Sequence, residues 1–461
     1  MTKSDIFIKP VKPKFILINP WVYDFSAMNL WSRPLGLLKV AEYLSRFDIN
    51  LELIDCTGEV KIKRKFGTGK FPRQIIDKPE ALKNVPKNFA RYGMDIDVFS
   101  ERLKRLLPCD MIFVTSIMTY WYPGVFKVIE IVKSLSPDTP VILGGIYATL
   151  FHEHAQKYSG ADYVFRRHVH NTACLPDEVG GGDGLESIIQ SLGCRLTGKK
   201  KPKSYNELGF YGSYPFVPLL TSEGCPYRCS YCASSVLFDG FIQRQPLAVV
   251  SEIKELYDIG VRDFAFYDDA LLENSESHLK LILKEIINSK IAVRFHCPNG
   301  LHAKYIDDEM AYLMKKSGFT TLRLSLETVN TERQMKTGGK VTTDVFLSAV
   351  RNLKNNGFQK EDIGVYLMYG LPGQQLEEVE EGKQFLKSLD VRINLTEFSP
   401  MPYTACWEEL KSRGIIDDNI DPILTNNTVF SILYSEYDMQ GLEKLRLDVK
   451  QYNSQNIFHG V

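Results

Sequence analysis

The sequence predicts an α/β protein: an N-terminal open parallel sheet, then a partial (βα)6 barrel, then a helical C-terminal tail. Three observations carry this. From Lys14 to about Cys194, short apolar runs alternate with segments of helical period. A second series of the same kind begins at Phe216. Between them, Thr197 to Ser213 has neither period and reads as a linker. The expected divisions are residues 1–196, 197–213, 214–404 and 405–461.

The first series opens with Phe15-Ile16-Leu17-Ile18-Asn19, a continuous apolar run of the kind that forms a strand buried on both faces. Pro34 starts a helix in which Leu35, Leu38, Ala41 and Leu44 recur at helical spacing. Strands are expected at 51–55, 111–115, 141–143 and 162–165, with helices near 96–107, 125–134 and 149–157. That alternation is the pattern of a Rossmann- or flavodoxin-like open sheet with helices on both faces. Two segments lack a period. Residues 57 to about 95 are rich in Lys and Arg and hold Gly67, Gly69, Pro72, Pro79 and Pro86. They read as a solvated basic loop or, more sharply, as a lid or anion-binding arm. Residues 169–184, with Gly180-Gly181-Gly182, read as a loose segment.

In the second series, strands are expected at 216–221, 264–268, 293–298, 321–326, 363–369 and 394–398. Helices fall between them at 246–256, 275–288, 307–316, 343–355 and 377–389. Six strands joined by right-handed crossovers curl into a partial barrel, two repeats short of the closed eightfold form. The tail from Cys406 reads as mainly helical.

Composition narrows the function classes. The chain is 44% hydrophobic and 24% charged, close to the globular average. Fifty-six basic residues balance 56 acidic ones, so no global field recruits nucleic acid, and no nucleic-acid partner is expected. The longest apolar stretch, Met111 to Phe126, is interrupted by Thr115, Ser116, Thr119 and Pro123, so no membrane span is expected. The first residues lack the apolar core of a signal peptide. Nine cysteines is an odd number, and reduced thiols in a cytoplasm are the expectation.

Three of those cysteines fall within eight residues, in Cys225-Pro226-Tyr227-Arg228-Cys229-Ser230-Tyr231-Cys232. They follow the first strand of the second series, at the end where such barrels carry their chemistry. Three thiolates this close suit a soft metal or an iron–sulfur cluster. Zinc would need a fourth ligand from a distant residue such as Cys297, which would make the region a non-catalytic scaffold. Four-iron clusters normally take four cysteines, so three leave one iron open. Strand ends supply further polar groups at Asp268-Asp269, Asn299, Glu327, Tyr369-Gly370 and Ser399. Along the fourth strand Arg323, Ser325 and Glu327 alternate with leucines, which puts all three on one face. They suit a zwitterionic cofactor with a ribose, or form an internal Arg323–Glu327 ion pair.

At the cysteine cluster the sequence resembles the radical S-adenosylmethionine superfamily, whose signature is this spacing with an aromatic, here Tyr231, before the last cysteine. The resemblance covers about residues 216–402. It implies an oxygen-sensitive enzyme in which Cys225, Cys229 and Cys232 bind a 4Fe-4S cluster and S-adenosylmethionine chelates the fourth iron. An electron from a donor such as flavodoxin or ferredoxin would cleave the sulfonium to methionine and a 5'-deoxyadenosyl radical. By the same resemblance Tyr231 would meet the adenine through its backbone, and Asp268 or Asp269 would receive the amino group in place of the absent Gly-Gly-Glu motif. Asn299, Arg323, Ser325 and Glu327 join them as cofactor-binding candidates. Gly370, in Gly370-Leu371-Pro372-Gly373, would let the backbone approach the adenine.

The N-terminal sheet resembles the cobalamin-binding domain of one radical subgroup through Pro34-Leu35-Gly36 and Gly144-Gly145. Open sheets bind ligands at the switch point, which in the flavodoxin-like order lies between the first and third strands. Trp21, Tyr23, Phe25 and Trp31 follow the first strand, and Tyr120, Trp121 and Tyr122 follow the third. These rings form a bed for a flat macrocycle or fill the crevice. The Asp-x-His-x-x-Gly cobalt-ligand motif is absent, and His152 and His154 read as surface or capping residues. Cobalamin is thus a candidate cofactor. With it, the expected reaction is methylation of an unactivated carbon; without it, a radical oxidation, insertion or rearrangement. The substrate, whether small molecule, lipid or peptide, has no motif in this sequence.

Overall fold

A computed structural model of the chain describes residues 12–166, 183–339, 341–434 and 437–455. Most of the loose segment at 169–184 lies outside the described residues. The chain forms two compact units that interleave along the sequence: residues 1–23, 34–59 and 91–212 make one, and residues 24–33, 60–90 and 213–461 make the other.

The first unit is built on five parallel strands, β1 (Lys14–Asn19), β2 (Asn50–Asp55), β3 (Met111–Val114), β4 (Val141–Leu143) and β5 (Tyr163–Val164). Their order is β2-β1-β3-β4-β5, with Phe15 opposite both Leu51 and Met111. This is the doubly wound order in which the chain leaves β1 in one direction for β2 and returns in the other for β3, opening a crevice between β1 and β3. The helices are α1 (Leu35–Leu44), α2 (Ile96–Leu106), α3 (Tyr122–Leu135), α4 (Ile146–Leu150), α5 (His152–Tyr158) and α6 (Asp183–Ser191). Asp95 caps α2 by accepting from the Asp97 N–H. Pro123, in the first turn of α3, sits where its missing N–H costs nothing. Residues 197–203 run back along α1: Asp48 N–H donates to Thr197 O at 2.7 Å, and Lys203 N–H to Ser45 Oγ at 2.8 Å.

The second unit is built on β6 (Val217–Leu219), β7 (Asp263–Phe266), β8 (Arg294–His296), β9 (Leu301–His302), β10 (Phe319–Glu327), β11 (Ile363–Tyr369) and β12 (Arg392–Glu397). The sheet runs β6-β7-β8-β10-β11-β12, with β9 beside β10, and every pairing is parallel. Helices α7 (Ser234–Leu237), α8 (Pro246–Asp258), α9 (Leu279–Asn288), α10 (Asp308–Ser317), α11 (Thr331–Lys336), α12 (Thr343–Asn355) and α13 (Leu376–Ser388) lie between the strands. The tail adds α14 (Ala405–Ser412), α15 (Asn427–Leu433) and α16 (Met439–Ser454). Phe264, Phe266, Phe295 and Phe319 pack together, with centroid separations of 5.1–6.0 Å, Phe319 joining them at a register shift between β8 and β10. Beyond that shift His296 Nδ1 lies 3.1 Å from Thr321 Oγ1, and Arg323 and Ser325 follow Thr321 at period two.

The segment at 57–95 is more than a solvated loop. Phe71, Leu82, Val85 and Phe89 are buried, while its lysines and arginines at 61, 63, 64 and 73 face solvent. Apolar residues spaced at neither helical nor strand period still bury when short strands and 3-10 turns present them one at a time. Trp31 and Phe66 join Phe216, Ala265 and Tyr267 in one core cluster of the second unit.

Candidate functional site

Beyond β6 the chain makes a short antiparallel pair, Ser222–Glu223 with Ile242–Gln243, and the three cysteines lie in the loop between them. Gly224 has φ +76 and lies so close to Gly240 O that a Cβ would collide with it. Cys225 and Cys229 are half-buried, and the Cys232 N–H donates to Cys229 O at 3.0 Å, so the last two cysteines share one turn. Desolvation pushes the Cys232 thiol up to about 11, helped by the charges of Asp269, Cys229 and Cys225. Cys232 thus feels both other sulfurs, and iron would displace the proton the chain keeps on it.

Two other elements hold this loop. Ser230 N–H donates to Thr337 O at 3.3 Å, and Ser230 O accepts from Cys406 N–H at 2.8 Å. The Cys406 thiol also reaches Ser230 Oγ at 3.4 Å. Gly338, at φ +126, backs onto the central cysteine: a Cβ there would stand 3.5 Å from Cys229 Sγ. Among the described residues no group of three or more His, Cys, Asp or Glu surrounds a single ion-sized point. A four-iron cluster makes a different demand, since each thiolate bonds its own iron, and three sulfurs spread over one loop fit it. Cys297, the distant zinc candidate, is 1% exposed beside Asp268 and Arg323.

The strand-end groups differ in how far their polar atoms are already used. Asp268 is heavily engaged at one oxygen: Oδ1 accepts from Thr221 N–H at 3.0 Å, Thr221 Oγ1 at 2.7 Å and Ser222 Oγ at 2.7 Å, while Oδ2 shares the Thr221 N–H at 3.2 Å. Asp269 accepts from Ser234 Oγ at 2.6 Å and is the carboxylate beside Cys232. Asn299 Nδ2 donates to the Tyr267 and Asp268 carbonyls at 2.9 and 3.3 Å, which ties off β7. Glu327, buried at φ +67, lies beside the Tyr231 phenol, whose acidity burial suppresses. Gly370, φ +86, donates its N–H to Tyr437 Oη at 3.0 Å, so the tail covers this turn.

Arg323, Ser325 and Glu327 share a strand as expected, but β10 shifts register between Ser325 and Glu327. Ser325 is opposite His302 and Tyr366, and Gly300 lies so close that a Cβ would collide with Ser325 Oγ. Burial lowers the Arg323 pKa, and Tyr366, which hydrogen-bonds to it, opposes that shift. Sequence reasoning missed Tyr366 and Asn394, both on this face. Asn394 Oδ1 is buried with no hydrogen-bond partner, and a Cβ at Gly364 would lie 2.6 Å from both Asn394 Oδ1 and Arg323 Nη1. An unmet acceptor beside a guanidinium and a hydroxyl fits a ligand bearing donors and a carboxylate. The signal that would have found Asn394 was its alternation with Arg392 on β12.

In the first unit, a crevice of about 300 Å³ opens beyond β1 and β3, lined by Asn19, Trp21, Thr57, Thr115, Ser116 and Trp121, among others. Trp21 is fixed, with Nε1 donating to Met94 O at 2.7 Å and its ring edge-on to Phe99 at 4.8 Å. A Cβ on Gly124 would collide with Trp21 O, so glycine lets α3 approach β1's exit. Gly145, at φ +96, performs the same service beside Ser116. The aromatic group divides: Trp21 and Trp121 line the crevice, Tyr122 packs on Tyr147 at 5.6 Å, and Phe25 and Trp31 belong to the second unit. His152 Nδ1 lies 3.2 Å from Ala148 O, and His154 Nδ1 lies 2.6 Å from Tyr147 Oη, which engages one nitrogen of each ring.

Residues 219–386 match the family model of the Radical SAM superfamily. An uncharacterized methyltransferase of Pyrococcus horikoshii is 24% identical over 331 residues, 67% of this chain and 70% of that protein. The anaerobic magnesium-protoporphyrin IX monomethyl ester cyclase of Rubrivivax gelatinosus is 22% identical over 70% of this chain and 62% of its own length. Among solved structures, the radical S-adenosylmethionine methyltransferase TsrM of Kitasatospora setae, with cobalamin and a [4Fe-4S] cluster bound, superposes with a TM-score of 0.62 at 16% identity, over 87% of this chain and 78% of that one. The cobalamin-dependent S-adenosylmethionine radical enzyme OxsB superposes at 0.54 with 12% identity, over 96% of this chain and 61% of that one. No helix among the described residues is long and apolar enough to cross a membrane. With its cysteine loop at the end of β6 inside the matched segment, the chain carries a radical SAM domain over residues 219–386.

Proposed function

We propose that this enzyme methylates an unactivated carbon, using a 4Fe-4S cluster and S-adenosylmethionine in the second unit and cobalamin in the first. In this reading the sheet β6–β12 is the partial (βα)6 barrel, and the functional domains follow the divisions 1–196, 214–404 and 405–461. The observation that carries it is the loop beyond β6 in which the Cys232 thiol feels the charges of Cys229 and Cys225, together with an unmet acceptor at Asn394 on the same sheet. The cluster and S-adenosylmethionine together supply a 5'-deoxyadenosyl radical, and cobalamin would supply the methyl group.

The chain's own residues bind and orient. Cys225, Cys229 and Cys232 would hold the cluster. Asp269 is better suited than Asp268 to take the cofactor's ammonium, because Asp268 Oδ1 already accepts three hydrogen bonds from Thr221 and Ser222, whereas Asp269 accepts from Ser234 Oγ. Arg323 suits the carboxylate; Ser325, Glu327 and Asn394 suit the amino-acid and ribose donors; Asn299 and Gly370 shape the strand ends around them, and Tyr231 flanks the adenine. In the crevice, the indole of Trp121 suits the edge of a flat, largely apolar macrocycle, and Trp21 supports the wall behind it. A low-potential donor such as a flavodoxin or ferredoxin would deliver the electron.

Anaerobic reconstitution tests the reading. The protein should be brown with about four irons per chain, should convert S-adenosylmethionine to 5'-deoxyadenosine under reduction, and should bind hydroxocobalamin one to one. Cys229→Ala should lose the cleavage and keep its fold. Colourless protein holding one zinc, or full 5'-deoxyadenosine formation by that variant, would refute the assignment. Cleavage without cobalamin binding would leave a radical oxidation, insertion or rearrangement as the reaction.

A further inference from the structure

Between the first two cysteines of the loop stands Tyr227, and its phenol is one corner of a compact polar group. Tyr227 Oη donates to Glu273 Oε2 at 2.6 Å, Tyr305 Oη donates to the same oxygen at 2.6 Å, and the two phenol oxygens are 2.7 Å apart. Lys304 Nζ lies 4.6 Å from the centre of each tyrosine ring, and the edge of His302 meets Tyr227 at 4.6 Å. The two phenols and the Lys304 charge hold the Glu273 carboxyl below its ordinary value, so it is an anion. Gln243 Nε2 fixes the backbone beneath it by donating to Glu273 O at 2.9 Å.

The members come from different segments. Tyr227 belongs to the cysteine loop after β6, Glu273 to the loop after β7, and Tyr305 to the turn after β9. His302 is paired in register with Ser325 on β10. A loop that must hold thiolates at fixed separations cannot do so by local backbone alone, because loops gain rigidity only from what they bond to. Hydrogen bonds to a charged acceptor are the strong ones, and here two converge on one oxygen.

We propose that Tyr227, Glu273 and Tyr305 are positioning residues that brace the Cys225–Cys229 arm of the loop for the cluster. The inference rests on the cluster reading above. The brace acts on how firmly the loop keeps iron, and Glu273 also places a fixed negative charge near the cluster, which favours its oxidised state.

The test uses the full chain, reconstituted anaerobically, as wild type, Tyr227→Phe, Tyr305→Phe, Glu273→Leu and Glu273→Gln. Thermal melts of the unreconstituted proteins check folding. Iron loss to an excess of a ferrous chelator should be about tenfold faster in Tyr227→Phe and Glu273→Leu, the effect of losing a charge-assisted hydrogen bond. Tyr305→Phe keeps the Tyr227–Glu273 bond and should fall between. Glu273→Gln keeps an acceptor oxygen, so its iron loss should stay near wild type while its cluster midpoint potential shifts upward. Wild-type iron retention in Tyr227→Phe, or identical behaviour of Glu273→Gln and Glu273→Leu in both readouts, overturns the brace and leaves the cluster reading standing. Wild-type protein that assembles no four-iron cluster overturns both.

Discussion

Trp31 stacks on the imidazole of His296, with ring centroids 4.5 Å apart and planes 17° apart. Phe66 covers the same imidazole at 5.0 Å, and Trp31 Nε1 donates to Phe66 O at 2.8 Å. Both aromatic residues have positive φ, 63° and 59°, a conformation that costs a bulky side chain about 1–3 kcal/mol. Burial of the indole against His296 and Phe216 offsets that strain. Trp31→Ala should therefore destabilise the second unit by about 3–5 kcal/mol, and Trp31→Phe by clearly less. Urea unfolding of the full chain, followed by hydrogen exchange on β7 and β8, measures this. An unchanged midpoint for Trp31→Ala would mean the stack contributes nothing.

The same imidazole gives the fold a pH dependence. His296 is 0% exposed, with Nε2 2.9 Å from Asp263 Oδ1 and Nδ1 3.1 Å from Thr321 Oγ1. Arg294 shares the Asp263 carboxylate, with 2.7 and 2.6 Å bonds. Burial outweighs the carboxylate and holds His296 below the ordinary value of 6.5, and burial does the same to His278. Below about pH 6.5 the unfolded chain binds protons that the folded chain refuses, so stability falls as the pH drops. Melting temperatures between pH 7.5 and 5.5 should decline, with a steeper limb near pH 4 and below as Asp263, whose pKa is lowered, is protonated in the unfolded chain before the folded one. A flat profile from 7.5 to 5.5 contradicts the neutral, buried histidines.

Much of this was legible in the sequence, and the failures have physical causes. The run at Phe15–Asn19 and the helix period from Leu35 dictate their elements locally, because a strand or helix buries whatever its period aligns. The cysteine spacing and the alternation of Arg323 with Ser325 are likewise local. By contrast, Trp31 and Phe66 sit in loops, where period says nothing about the destination of a ring. Asp268 could not be separated from Asp269 for a similar reason. Its partners, Thr221 and Ser222, lie 46–47 residues away, and only the folded sheet brings them together. The basic segment at 57–95 was misleading because its charges are many and its few core contacts are unevenly spaced.

Gly338 offers a test of how tightly the central cysteine is enclosed. Its φ of +126° disfavours any side chain, and a Cβ would lie 3.3 Å from Cys229 Cα and 3.5 Å from Sγ. Gly338→Val should fold but carry clearly less than the wild-type iron, because its branches would enter the space beside the thiolate. Gly339, whose added Cβ meets only the flexible Met335 side chain at 3.7 Å, is the control for a merely local effect. Its φ of +61° strains a side chain too, so equal iron loss in Gly339→Ala would assign the effect to backbone strain rather than to crowding of Cys229.

The crevice of the first unit separates a binding wall from a supporting one. Trp21 is 1% exposed and spends its N–H on Met94 O, so its removal should act on stability. Trp121 is half-buried on the same crevice, with its ring edge-on to Tyr120 at 6.0 Å. A flat macrocycle entering there would gain contact with that indole at little ordering cost. Trp121→Ala should weaken hydroxocobalamin binding about tenfold, the equivalent of about 1.4 kcal/mol of lost contact, with an unchanged melting temperature. His152→Ala should leave binding as it is, since that imidazole turns back to Ala148 O at 3.2 Å. Spectrophotometric titration under argon reads both. Equal affinity in wild type and Trp121→Ala would move the cobalamin contact away from this wall, and loss of binding in His152→Ala would make that histidine a ligand after all.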